Sequence, residues 1–284
     1  DREELKEWLK DKEGLLSWKL DGLTVVLTYD NGILSTAVTR GNGEVGEVIT
    51  QNAECFKNLP VKISYKGHLV LRGEAVISYS NFEKINAKII NPDEQYKNPR
   101  NLCSGSVRQL DPKITAERNV FFFAFSLVEA EGVDFKNSRY EQMSFLSELG
   151  FETVHEERVN KDNLLEKIEW YANEIKTYDI PSDGLVLMYD DIAYGNSLGN
   201  TAKAPRNAIA FKWQDEQAET VLRKIEWSPS RTGLINPVAV FDSVELEGTS
   251  VSRASVHNIS VMRSLKLGIG DRILVYKANM IIPQ

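Results

Sequence analysis

Between Leu23 and Thr39 the chain permits only one local structure. Leu23 to Tyr29 and Ile33 to Thr39 are β-rich runs separated by Asp30, Asn31 and Gly32 alone. Asn and Gly both tolerate positive φ, and this pair between two such runs closes an antiparallel hairpin. The hairpin decides a second question. Gly41, Gly43 and Gly46 spell GxGxxG directly after the second run. A dinucleotide-binding turn needs its strand to open a parallel βαβ unit, with an acidic residue about 20 positions on. Here the strand is the return arm of a hairpin, and Ile63 to Gly67 contain no acid. The glycines read as a loop, not as a Rossmann fingerprint.

Helices and strands alternate irregularly around this hairpin. Asp1 to Lys12 reads as a helix, with Leu5, Trp8 and Leu9 at helical spacing. His68 to Ile77 is a further strand, and aromatic-rich Val120 to Leu127 a buried one. Ser80 with Glu83 and Ser138 with Glu141 are capping-box pairs that open helices, the second ended by Gly150. Leu164, Ile168, Tyr171, Ala172 and Ile175 make one apolar face of a helix starting near Asn160. Gly184 to Tyr189 and Ala208 to Trp213 read as central strands. After about Gln217 the texture changes to short strands broken by Pro, Gly, Ser and Asn: Val221 to Trp227, Val238 to Val244, Ser250 to Ala254 and Arg272 to Tyr276. That is the pattern of a small β-barrel. The expected fold is α+β in two domains, 1–217 with mainly antiparallel sheets and flanking helices, and 218–284 with the barrel.

Charge divides along the same line. From Glu219 onward eight basic residues face six acidic ones, leaving that segment at +2 and the preceding one at −9 of the net −7. An acidic body with a mildly basic tail permits a nucleic-acid surface without demonstrating one. Cys55 and Cys103 lie far apart with no CxxC spacing, which argues against a zinc ribbon or disulfide framework and for a reducing, cytoplasmic setting. No apolar run approaches the roughly 18 residues of a membrane span.

The chemistry-bearing residues begin at Lys19-Leu20-Asp21-Gly22, between an apolar stretch and the hairpin. A lysine in partly dry surroundings near other cations becomes a usable amine nucleophile. Four residues alone are weak, since a surface lysine before a turn accounts for them better. Arg72-Gly73-Glu74 then places two charges around a glycine inside an apolar strand, as a pocket floor would. Asp183-Gly184 opens another apolar strand and Lys212 closes one. Each could be an ordinary ion pair at a strand end. Together they supply a nucleophile, carboxylates for ribose hydroxyls or a metal, and a second lysine for phosphate charge. Such a set suits attack on phosphorus, where positioning and charge neutralisation do most of the work.

The order Lys19-Leu20-Asp21-Gly22, Arg72-Gly73-Glu74, Asp183-Gly184, Lys212 resembles the motif series of covalent nucleotidyltransferases, shared by DNA ligases, RNA ligases and capping enzymes. Three further stretches narrow the resemblance to NAD-dependent DNA ligases. They are Thr39-Arg40-Gly41-Asn42-Gly43 through Thr50, Asn98-Pro99-Arg100-Asn101 through Arg108-Gln109-Leu110-Asp111-Pro112, and Arg231-Thr232-Gly233 through Val251-Ser252-Arg253-Ala254-Ser255-Val256-His257-Asn258. The resemblance covers essentially the whole chain. It implies a nucleotidyltransferase adenylation domain of the ATP-grasp-like ligase type, followed by an OB-fold.

By the same resemblance Lys19 would form a phosphoramidate with AMP, assisted by Asp21, while Arg40 contacts the nucleotide. Glu74 or Asp183 would hold the ribose or a magnesium-linked group, Phe125 would stack on adenine, and Lys212 would neutralise the α-phosphate. Without the resemblance Phe125 reads equally well as a core residue. Arg100 and Arg108 are implied to grip phosphates at a nick, with Arg231, Arg253 and Lys277 adding cations from the barrel. NAD and Mg2+ are the implied cofactors and nicked double-stranded DNA the partner, with no zinc, no membrane and a monomeric state.

Two positions depart from the family pattern. Ser17 stands where a glutamate is usual, and Met188 where a lysine is usual, so one carboxylate and one phosphate cation are missing. Only 18 residues precede Lys19, whereas the family carries an upstream helical domain for the nicotinamide half of NAD. The chain stops at Ile282-Pro283-Gln284, inside an expected barrel strand, before the family's zinc finger, helix-hairpin-helix domain and terminal module. It therefore reads as a fragment of a larger enzyme. The rivals are an ATP- or GTP-using relative, which would lack the second and third signatures, and a DNA-binding paralogue that has lost catalysis.

Overall fold

The computed structural model describes residues 2–41, 45–91, 94–201, 205–213, 217–229, 233–246, 249–278 and 282–284. The chain divides into two compact units, Asp1–Lys212 and Trp213–Gln284. The first holds strands β1 (Gly14–Leu20), β2 (Leu23–Asp30), β3 (Ile33–Thr39), β4 (Leu69–Val76), β5 (Phe121–Ala130), β6 (Glu156–Val159), β7 (Ser182–Tyr189) and β8 (Ala208–Lys212). They form two antiparallel four-stranded sheets, ordered β3-β2-β4-β5 and β6-β1-β7-β8.

The hairpin forms as its sequence requires, with Asn31 at φ 52° and Gly32 at φ 77°. Because β3 pairs antiparallel with β2, it opens no parallel βαβ unit. Val25, Leu27 and Tyr29 alternate along β2 and are wholly buried against Leu69, Leu71, Phe122 and Leu102. Helix Arg139–Glu148 closes this core through Met143 and Leu146. Its N-cap is Ser138, whose hydroxyl accepts the Glu141 amide at 3.2 Å, and Gly150 follows it at φ 95°.

Three expectations need correction, at β8, at the cap of helix Tyr79–Asn86 and at the N-terminal helix. Lys19 lies near the end of β1, a strand that the sequence pattern does not mark, and ahead of the hairpin. β1 is flanked by strands on both sides and buries Gly14, Leu15 and Leu16 in succession, so it lacks the alternation of a half-exposed strand. β8 is an edge strand, not a central one. The helix Tyr79–Asn86 is capped by Ser78, not Ser80; the Ser80 amide and hydroxyl donate instead to Asp179, at 2.8 and 2.6 Å. The N-terminal helix is shorter than expected, Arg2–Leu9.

The second unit contains β9 (Gln217–Pro229), β10 (Ile235–Leu246), β11 (Thr249–Ser255), β12 (Arg272–Ala278) and β13 (Ile282–Pro283), ordered β11-β10-β9-β12-β13. β13 also lies against β11. Leu222, Ala239, Phe241, Leu246 and Val275 fill its core. Asn258 Oδ1 caps the helix Ile259–Ser264 by accepting the Ser260 and Val261 amides at 2.9 and 3.0 Å.

Candidate active site

A cleft of about 690 Å³, a size ordinary for a small-molecule site, lies within the first unit and is lined by residues of both its sheets. Cross-strand register assembles one end. Lys19 on β1 lies opposite Gly184 on β7, which lies opposite Lys212 on β8. Asp183 precedes that glycine, and its carboxylate accepts from Lys19 Nζ at 2.7 and 2.9 Å and meets Lys212 Nζ at 3.4 Å. One carboxylate thus sits between two amines. Lys19 and Asp183 keep 32% and 22% of their side-chain exposure, enough for a substrate to reach the amine.

The facing wall is built by β2, β4 and β5. Glu74 Oε1 accepts the Gly22 amide at 3.1 Å, and Oε2 accepts the Thr24 hydroxyl at 2.9 Å. Burial pushes the Glu74 carboxyl up to about 7, while those two hydrogen bonds act in the opposite direction. Gly22 must be glycine for a packing reason, since a Cβ there would stand 2.1 Å from the Ala75 carbonyl oxygen. Gly184 is similarly constrained, at φ 156° with the Phe211 oxygen 2.0 Å from an added Cβ. Phe125 is the extra residue where the β4–β5 register shifts between Arg72↔Ser126 and Gly73↔Ala124. A bulge re-aims a side chain, and Phe125 lines the cleft.

Arg40 also lines the cleft, its amide held by the Thr24 carbonyl at 3.0 Å. Asp21 accepts from Arg100 Nη1 at 3.0 Å. Among the described residues no cluster of three His, Cys, Asp or Glu side chains is arranged to hold a metal. The donor set still fits magnesium, which commonly binds through one or two carboxylates together with water and substrate phosphates.

Residues 2–216 match the family model of the NAD-dependent DNA ligase adenylation domain, and residues 219–284 that of the NAD-dependent DNA ligase OB-fold domain. The chain belongs to the NAD-dependent DNA ligase family. It is 64% identical over 280 residues to a DNA ligase of Ruminiclostridium cellulolyticum, covering 99% of this chain and 43% of that protein. Against a DNA ligase of Clostridioides difficile the identity is 41% over 275 residues, covering 96% and 41%. The chain therefore spans less than half the length of these relatives. A solved Lig E DNA ligase has a similar fold, with a TM-score of 0.51 at 17% identity, covering 93% of this chain and 86% of that one.

The structure gathers Lys19, Asp21, Arg40, Glu74 and Phe125 on the lining of one cleft, while Asp183 and Lys212 join that set through the Asp183 contact with Lys19. It separates the two arginines expected on nick phosphates. Arg100 lines the cleft with Asp21, whereas Arg108 pairs with Glu47 and the Ser104 hydroxyl. Arg253 pairs with Glu226 on the second unit, and Arg231 falls outside the described residues. Lys277, expected among the barrel cations, is 7% exposed and donates to Thr249 Oγ1 at 2.5 Å, so it is no surface cation. Ser17 and Met188 both line the cleft. So do Thr24 and Arg139, which the sequence left unmarked; neither belongs to a motif or a periodic pattern.

Proposed function

We propose that this chain is the catalytic core of an enzyme that seals DNA nicks at the expense of NAD. Lys19 Nζ attacks the α-phosphorus of NAD. The N–P bond forms as the bond to the bridging pyrophosphate oxygen breaks, and nicotinamide mononucleotide leaves with that electron pair. AMP then passes from Lys19 to the 5′-phosphate of a nick, and the 3′-hydroxyl displaces AMP to close the phosphodiester. The observation that carries this reading is the Lys19–Asp183–Lys212 row on the cleft edge.

Each neighbour has a role that its position supports. Asp183, in hydrogen-bond contact with the ammonium, takes its proton. Lys212 meets the charge developing on the α-phosphate. Glu74 and Arg40 hold the ribose and nucleotide, Phe125 offers its ring to adenine, and Asp21 with Arg100 orients the lysine loop. Glu74 or Asp183 would hold magnesium, which when bound would supply positive charge against the phosphates. Arg108 and Arg253, each on an exposed surface, are free to exchange their carboxylate partners for DNA phosphates. The setting is replication and repair in the cytoplasm, the protein acting as a monomer. Intact mass after incubation with NAD and magnesium tests the reading. A gain of one AMP on Lys19, with or without an added upstream nicotinamide-binding domain, is expected; no gain in either case points to a catalytically silent paralogue.

A further inference from the structure

The cleft contains a donor that these roles leave unused. The Nε of Arg139 is buried and has no hydrogen-bond acceptor. Arg139 is the first residue of the helix Arg139–Glu148, and its amide donates to the Asp190 carbonyl at 3.0 Å, two residues beyond Met188. The carboxylate of Asp190, which acts on the charge of Arg139, is already engaged: it accepts the Ser138 hydroxyl at 3.0 and 3.2 Å and the Tyr140 amide at 2.8 Å. A buried N–H without an acceptor is costly and rare in a finished site. The side chain lines the cleft together with Phe125, Val154, Met188 and Ser17, and its terminal Nη groups, which hydrogen-bond to none of the described residues, are the donors a ligand there can meet.

Its position along the cleft identifies the part of the ligand it meets. Met188 lies four residues from Gly184 on β7, about 13 Å at strand rise, so Arg139 stands far from the Lys19–Lys212 end. That separation suits a nucleoside monophosphate lying with its phosphate at the lysines and its base beside Phe125. Met188 and Ser17 bring no charge to this wall, and Arg139 brings a cation to it from the helix start.

We propose that Arg139 reads the nucleobase, donating an Nη–H to a ring nitrogen of the adenine that lies on Phe125. This rests on the proposed function and adds to it a specificity residue outside the motif series. Four ligands test it by equilibrium binding: AMP and three deaza analogues, each with one acceptor ring nitrogen replaced by C–H. They are measured on the wild-type chain, on Arg139→Ala and on Arg139→Met, which keeps the aliphatic length should alanine disturb the fold. Wild type is expected to bind one analogue about tenfold more weakly than AMP, the size of a hydrogen bond from a charged donor. Both variants should bind AMP about tenfold more weakly and no longer distinguish it from that analogue. Variants that retain the discrimination, or that weaken all four ligands equally, overturn the inference and leave the proposed function standing. A wild-type chain that binds AMP but treats all four alike does the same. A wild-type chain that binds none of them overturns both.

Discussion

Lys19 and Asp183 are joined across neighbouring strands by a two-pronged contact, with Nζ donating to Oδ1 at 2.7 Å and to Oδ2 at 2.9 Å. The carboxylate fixes the amine in place and lies where it can receive the proton that attack requires. Lys19→Ala should therefore abolish the gain of one AMP in mass while leaving the fold intact. Asp183→Asn should keep the geometry but slow adenylate formation by roughly 10²–10³, the usual loss for one preorganised polar contact. Single-turnover rates measure this; an unchanged rate in Asp183→Asn would reduce the contact to a strand-end ion pair.

Gly22 links the lysine loop to the opposite sheet. Its amide donates to Glu74, and a Cβ would meet the Ala75 oxygen at 2.1 Å and Val76 Cγ1 at 2.7 Å. Backbone cannot yield as a flexible side chain can, so Gly22→Ala must push β2 away from β4. A loss of about 1–3 kcal/mol is expected, as for overpacking generally, together with adenylation reduced more than Thr24→Ala reduces it. Urea unfolding and intact mass, read on the same samples, check both parts.

The parts of this architecture that were legible were those fixed by local chemistry. The Asn31-Gly32 hairpin follows from positive φ, and the place of Glu74 on a cleft wall from two charges set around a glycine in an apolar strand. What escaped depended on long-range pairing. β1 hid because its neighbours β6 and β7 arrive more than 130 positions later and cover a strand without alternation. The β5 bulge that turns Phe125 into the cleft exists only in register with β4. Arg139 has no motif at all; only the fold brings a helix start beside Met188. Ser80 was mistaken for a cap because Asp179, 99 positions away, claims its hydroxyl.

Arg100 and Arg108 should separate the two halves of the reaction. Arg100 lines the cleft, where its Nη1 bonds Asp21, while Arg108 bonds Glu47 and is not among the cleft's lining residues. Arg100→Ala is expected to slow both Lys19 adenylation and sealing. Arg108→Ala in the full-length enzyme should impair sealing alone and lower the salt slope of DNA binding by about one unit. Adenylation and nick closure measured in each variant decide the matter, and equal behaviour of the two arginines would remove the distinction.

Glu156 makes stability depend on pH in an unusual direction. It sits opposite Ser17 on β6, and burial, with the Asp190 carboxylate adding to it, pushes its own carboxyl from 4.5 up to about 7. Between those values the folded chain holds a proton that the unfolded chain has released. Stability must therefore fall as pH rises through this window, the reverse of an ion-paired carboxylate. Glu74, raised to about 7 by burial, contributes in the same sense. Glu156→Gln removes one of the two titrations while keeping the side chain's shape. Its unfolding midpoint relative to wild type should be nearly unchanged at pH 4.5, climb as pH approaches 7, and stay level above it. Urea titrations across that range give the difference directly. A constant offset would mean that Glu156 is ionised in the folded chain throughout, and a falling one that it is held by a cation.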